Sequence, residues 1–156
     1  MTITKLSSEA FTVYAPKLFA ILSENMRRLH PGEVVTEADH RAWLDYQAAH
    51  LSEKHFVVLE TGETLAGYVQ YSVSGGVLTV EELEIAPGWQ NGVALRSLLR
   101  ALPELLPDGV QTVTAYIHKD NRRSRRLAER LGLRSAGETA SGQSLRCTAA
   151  RSNLRL

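Results

Sequence analysis

Cysteine appears once, as Cys147, so no intrachain disulfide can form, and nothing pairs with that thiol as a metal site. The five histidines, at positions 30, 40, 50, 55 and 118, show neither HxH nor HxxxH spacing, which argues against a histidine-built metal centre. No apolar run approaches the roughly 18 residues that a bilayer span requires. The opening "MTITKLSSEAF" lacks a charged segment leading into an apolar stretch, so a secretory signal peptide is not expected. Net charge is only +1, too little to imply nucleic acid as a partner of the chain as a whole. These absences leave a cytoplasmic, metal-free protein as the expectation.

What is present is a globular composition, with 44% apolar and 22% charged residues over 156 positions. A chain of that length is expected to form one domain, residues 1–156, with a core that needs neither disulfides nor metal. Charge is unevenly spread. From Lys119 onward there are ten Lys or Arg and three acids, whereas the first 118 residues hold eight basic and fourteen acidic ones. One end is therefore about +7 and the rest about −6. Such asymmetry suggests a basic surface facing an anion, with pairing between the two parts as the alternative.

"TITKL" reads as a short edge strand. Phe11, Tyr14, Ala15, Leu18, Phe19 and Leu22 recur at helical spacing, with Pro16 expected to start or kink that helix. After the loop "HPGEV", Thr36 and Asp39 form an approximate capping box opening a second helix through Ala38, Ala42, Tyr46 and Ala49. The period then changes to that of strands. "HFVVLE", "TLAGYVQYSV" and "GVLTVEELEIAP" are β-rich runs separated by the hairpin signals "TGE" and "SGG". A third helix, "NGVALRSLLRAL", is expected to end or kink at Pro103, and "VQTVTAYIH" reads as a buried strand. A fourth helix, capped by Asp120 or Asn121 and stopped by Gly132, precedes two last strands, "LRSAGE" and "QSLRCTA". The order β-α-α-β-β-β-α-β-α-β-β mixes hairpins with one βαβ crossover, from "LEIAP" to "VTAYI", whose strands should run parallel.

The stretch "HKDNRRSRRLAERLGL" packs five arginines into sixteen residues. On a helix from Asn121 to Leu131, Ser124, Leu127, Ala128 and Leu131 share the core face, and the arginines fall elsewhere. Arg122 and Arg123 sit in the first turn, where free N–H groups and the helix dipole already favour anions. Three readings stay open: a DNA-reading helix, a plain solvated face, or the wall of a small-anion site. The first lacks a helix-turn-helix partner or a dimerisation seam.

These residues, taken with their neighbours, resemble the GNAT superfamily of N-acyltransferases. Its strand-to-helix segment has the form V-x-x-x-N-x-x-[SA]-x-x-L-Y-x-x-x-G-F-x-x-x-G-E. Ile117, Asn121, Ser124, Leu127, Gly132, Leu133, Gly137 and Glu138 stand at the matching positions. "LEIAPGWQ" is similar to the family's L-x-V-x-P-x-[YF]-[QR], and "VVLETGETLAGYVQY" to the hairpin before it. The likeness spans nearly the whole chain in the right order.

The resemblance implies an α/β (α+β) fold: one GNAT-like domain with a mixed, mostly antiparallel sheet of about seven strands flanked by four helices. It implies acetyl-CoA as co-substrate, with a small-molecule or peptide amine attacking the thioester directly. The donor would be held by Ile85, Gln90, Asn91, Gly92, Val93, Ala94, Leu95 and Arg96, and by Asn121 and Arg123 at the second helix start. A helix start presents amides to a pyrophosphate without side chains. The base would come from the strand before the loop, with Glu81, Glu82 and Glu84 as candidates; Glu81 best matches the family's position. His118 or Tyr116 could substitute. Two departures stand out: Val93 and Leu95 occupy the small-residue positions of [QR]-x-x-G-x-[GA], and Ala128 replaces a tyrosine that often protonates the leaving thiolate. The alternative is therefore a catalytically weak or inactive acyl-CoA-binding or protein-interaction module on the same fold. A homodimer stays open, a membrane is not expected, and the segment "SENMRRLHPGEVVTEADHRAW" carries no readable acceptor code.

Overall fold

Two-residue turns dictate the centre of the sheet. In a computed structural model describing residues 1–156, Gly75 and Gly76 both take positive φ, at 56° and 76°. They join strand β3 (Thr64–Ser74) to β4 (Val77–Ile85), as a right-twisted hairpin demands. Gly62, at φ 59°, turns β2 (Lys54–Thr61) into β3. The remaining elements are β1 (Thr2–Lys5), helices α1 (Ser8–Leu29), α2 (Glu37–Ala49), α3 (Val93–Leu105) and α4 (Arg122–Leu131), and strands β5 (Thr112–His118), β6 (Arg134–Glu138) and β7 (Ser144–Ala150). This is the order expected from the sequence.

The seven strands form one sheet, in the order β1-β2-β3-β4-β5-β7-β6. Its one parallel pair is β4 with β5, in register from Val77↔Thr112 to Val80↔Ala115, as the crossover through α3 requires. β5 pairs antiparallel with β7 over its full length, from Thr112↔Ala150 to His118↔Ser144. No helix is long and apolar enough to cross a membrane.

Backbone contacts divide the chain into two compact units: 1–70 with 82–99, and 71–81 with 100–156. In the first unit, α1 lays Phe11, Ala15, Leu18 and Ile21 against Phe56, Val58, Leu65 and Tyr68 of β2 and β3. The opposite faces of those strands, at Leu59 and Ala66, take Ala94 at the start of α3. Along β2 the two sets alternate, Phe56 and Val58 on one face and Leu59 on the other, because successive side chains point to opposite faces; along β3, Leu65 and Tyr68, three positions apart, share one cluster. In the second unit, Thr114 and Thr148 are register partners whose hydroxyls meet at 3.2 Å. Gly132 ends α4 at φ 93°, its N–H reaching back into the last turn.

Of the two outcomes expected at each proline, a terminus or a kink, the terminus does not occur: α1 and α3 continue through Pro16 and Pro103. Both prolines are exposed, so the carbonyl left without a partner four residues earlier is reachable by water. The α2 positions read as its helical face, Ala38, Ala42, Tyr46 and Ala49, are all exposed. The inward face is His40, Trp43, Leu44 and Gln47, with Gln47 buried by a reciprocal amide pair with Gln70 of β3. The capping box itself is formed in both directions between Thr36 and Asp39.

Candidate functional site

Strand β4 carries carboxylates at 81, 82 and 84, and the structure separates them by their partners. Glu82 is held by two donors, the Tyr68 hydroxyl at 2.7 Å and the Trp43 indole N–H at 3.2 Å. Glu84 accepts from Asn25 Nδ2 of α1 at 2.6 Å. Glu81 accepts from the Ser72 hydroxyl at 3.3 Å. The close approach of β3 to the far end of β4 needs a glycine: a Cβ on Gly67 would lie 2.6 Å from the Glu84 carbonyl oxygen.

Burial pushes the Glu84 carboxyl up to about 7; the Asn25 hydrogen bond opposes that shift and the Glu82 charge adds to it. The Tyr68 phenol is also held well above its usual value, by burial first and then by the charges of Glu82 and Glu84. Tyr68 is therefore a neutral donor at any physiological pH, while Glu84 changes charge near neutrality. A carboxyl poised there can take a proton at pH 7 and give it up again.

The loop after β4 folds upon itself before α3. Gln90 Nε2 donates to Asn25 Oδ1 at 3.0 Å and to the Ile85 carbonyl at 2.9 Å. Asn91 Oδ1 caps the Val93 N–H at 3.1 Å, and the Arg96 N–H reaches back to the Gly92 carbonyl at 3.0 Å. Gly92 has φ 91°, and a Cβ there would meet the Arg96 guanidinium at 2.9 Å. A cation thus lies over a backbone whose Ala94 and Leu95 amides have no partner within the helix. Val93 is exposed and Ala94 buried, so the bulkier loop residue turns outward.

Of the residues singled out from the sequence, Ile85, Gln90 and Glu84 come together with Asn25. The Ile85 carbonyl, accepting from both Asn25 and Gln90, is already committed to side chains. His118 ends β5, with Nδ1 accepting from the Asp120 N–H at 3.1 Å and the Asp120 carboxylate 3.7 Å away. Asn121 caps α4 through the Ser124 N–H at 3.1 Å, and Arg122 and Arg123 are exposed in its first turn. Ala128 is buried and brings no proton donor. Sequence reasoning missed Asn25, Trp43 and Tyr68. Trp43 could have been found from the spacing of His40, Leu44 and Gln47, whereas Asn25 carries no local signal.

Residues 6–134 match the family model described as an acetyltransferase (GNAT) domain. No curated protein matches the chain. Among solved structures, an acetyltransferase from Thermus thermophilus is similar with a TM-score of 0.73 at 18% identity, covering 96% of this chain and 97% of the other. The PaiA N-acetyltransferase of Thermoplasma acidophilum in complex with coenzyme A superposes with a TM-score of 0.71 at 16% identity, covering 96% and 99%. The ribosomal-protein-S18-alanine N-acetyltransferase of Escherichia coli gives 0.67 at 18% identity, covering 96% and 92%. At these identities the likeness is one of fold.

Proposed function

The chain belongs to the GNAT acetyltransferase family, and from that premise we propose that residues 1–156 form one acyltransferase domain moving an acetyl group from acetyl-CoA to an amine by direct attack. The observation that carries this reading is Glu84, a carboxyl held by Asn25 at 2.6 Å, with Asn25 in turn bonded to Gln90 of the loop after β4; burial raises it to about 7. The acceptor is a small-molecule or peptide amine, and the protein works in the cytoplasm.

The residues present fit the donor. Arg96 over Gly92 and the first-turn amides of α3 put positive charge and N–H groups in one place, which suits a pyrophosphate. Taken by itself, the start of α4 offers the Asn121 cap and the exposed Arg123, groups of the kind an anion takes. When bound, acetyl-CoA supplies a thioester carbonyl to be attacked and a thiolate to leave. Glu84 supplies what the amine lacks. An alkylammonium near pKa 10 is almost wholly protonated at neutral pH, and an ionised Glu84 takes its proton. Glu82, fixed by Tyr68 and Trp43, lies beside Glu84, and the repulsion between the two carboxylates raises the proton affinity of Glu84. Glu81 and His118, the other candidates from the sequence, accept hydrogen bonds from the Ser72 hydroxyl and the Asp120 N–H.

Ala128 favours a second reading, a catalytically weak or inactive acyl-CoA-binding or protein-interaction module, because no hydroxyl stands where the family often places one. Calorimetric titration with acetyl-CoA and CoA, followed by an amine panel with free-thiol detection, decides. Binding with amine-dependent thiol release supports the transferase; binding without release from any amine supports the module; no binding of either ligand overturns both.

A further inference from the structure

Two carboxamides stand between Glu84 and the donor loop, and hydrogen-bond polarity fixes the direction of each. The Ile85 carbonyl oxygen can only accept. It lies 2.9 Å from Gln90 Nε2 and 3.1 Å from Asn25 Nδ2, so both amides must turn their nitrogens toward it. Gln90 then has an N–H left for Asn25 Oδ1 at 3.0 Å, the one pairing that suits both side chains. The same Asn25 nitrogen reaches Glu84 Oε2 at 2.6 Å. Were Asn25 reversed, its oxygen would face a carboxylate, acceptor against acceptor, and Gln90 would face an N–H with an N–H.

We infer that Asn25 is a positioning residue that holds the Glu84 carboxylate, and that Gln90 serves this site as the lock on the Asn25 amide rather than as a ligand of the donor. The inference rests on the reading of Glu84 as the base. It gives the donor loop a second role, in which its first side chain reaches back to α1 and orients the group that steadies the carboxylate. A hydrogen bond to the charged form favours ionisation, so this pair counteracts burial.

The other groups around Glu84 act differently. Glu82 on β4 repels its charge, and Tyr68 on β3 commits its proton to Glu82. Trp43 of α2 likewise serves Glu82. On α1, Glu24 pairs with Arg27 at 3.2 Å and with Arg28 at 3.9 Å, through side chains that are about half exposed. Asn25 is thus the donor the structure gives to Glu84.

The experiment is a ¹³C NMR titration of the glutamate side-chain carboxyls in the full chain, without donor or acceptor, from about pH 4 to about pH 9. Glu84→Gln assigns the resonance. Wild-type Glu84 should titrate near 7. Asn25→Leu should move the midpoint up by about one pH unit, and Gln90→Leu should move it the same way by roughly half as much. Gln90→Leu should weaken CoA binding by less than about threefold, measured by calorimetry. The Gln90 variant alters only a loop side chain, so it carries the test even if Asn25→Leu fails to fold. An unmoved midpoint in Gln90→Leu, with or without a loss of CoA affinity, overturns the inference. If wild-type Glu84 itself titrates as an ordinary carboxyl, the base assignment falls instead.

Discussion

Glu84 accepts a 2.6 Å hydrogen bond from Asn25, which lies 59 positions earlier in the chain. One side chain from the first helix thus works against burial, which raises the proton affinity of this carboxyl on the fourth strand.

Replacing Glu84 by Gln should lower kcat/KM for the best amine by about 10²-fold at pH 7, in the range usual for a general base. Wild-type activity should rise with pH through about 7, where Glu84 ionises. The variant should lose that limb, and its deficit should shrink near pH 9 as more amine arrives unprotonated. Glu81→Gln should stay within about threefold of wild type, since its carboxylate is engaged elsewhere. A profile for Glu84→Gln that keeps a limb at 7 would reject the assignment.

The same substitution tests stability with a definite sign. The folded chain holds the Glu84 proton to about 7, against 4.5 for an unconstrained carboxyl, so folding favours the protonated form. This group's stabilising contribution is complete below about 4.5 and is lost as pH rises through about 7. Glu84→Gln does not titrate. Its stability relative to wild type should therefore increase across that window by roughly 1–3 kcal/mol. Urea denaturation at about pH 4.5 and about pH 8 measures this, and a gain that falls with pH would contradict it.

At Gly92 the φ of 91° suits glycine alone, and a side chain would push into the Arg96 guanidinium. Gly92→Ala should cost about 1–3 kcal/mol in local strain and weaken acetyl-CoA binding, while Gly92→Pro should abolish it. Circular dichroism should show the rest of the fold intact. Equal affinity for wild type and Gly92→Pro in calorimetry would remove this loop from the donor site.

For the paired arginines at the start of α4, the discriminating ligands are CoA and dephospho-CoA. Arg122→Ala with Arg123→Ala should weaken CoA by about tenfold and dephospho-CoA by much less, if these side chains meet the 3′-phosphate. Equal losses for both ligands would place the arginines outside that contact. Tight duplex DNA binding with a steep salt slope and no CoA binding would favour the nucleic-acid reading instead.

The order of elements was legible because local chemistry writes it. Glycines at 62, 75 and 76 make the turns, Thr36 with Asp39 makes the cap, and Gly132 makes the stop. The inward face of α2 was not legible. It buries Gln47, which is tolerable only because Gln70, on a distant strand, completes its hydrogen bonds. The proposed site was legible only in part. Three acids on β4 announced themselves, but their partners Asn25, Trp43, Tyr68 and Ser72 come from other elements, and the proposed ranking rests on those partners. Gln90 was assigned to the donor by its motif, and only the folded chain shows its amide turned toward Asn25.

The position of β7 bears on how much of the chain can be removed. It is the last strand in sequence, yet it sits inside the sheet, between β5 and β6. The strand before it, β6, has its hydrogen-bonding partner only in Ser144–Ala150. A chain truncated after Glu138 would carry an orphaned strand and an unpaired edge of β5, the kind of surface that recruits chaperones or a second chain. Truncation after Glu138 should raise the aggregated fraction more than truncation after Ala150.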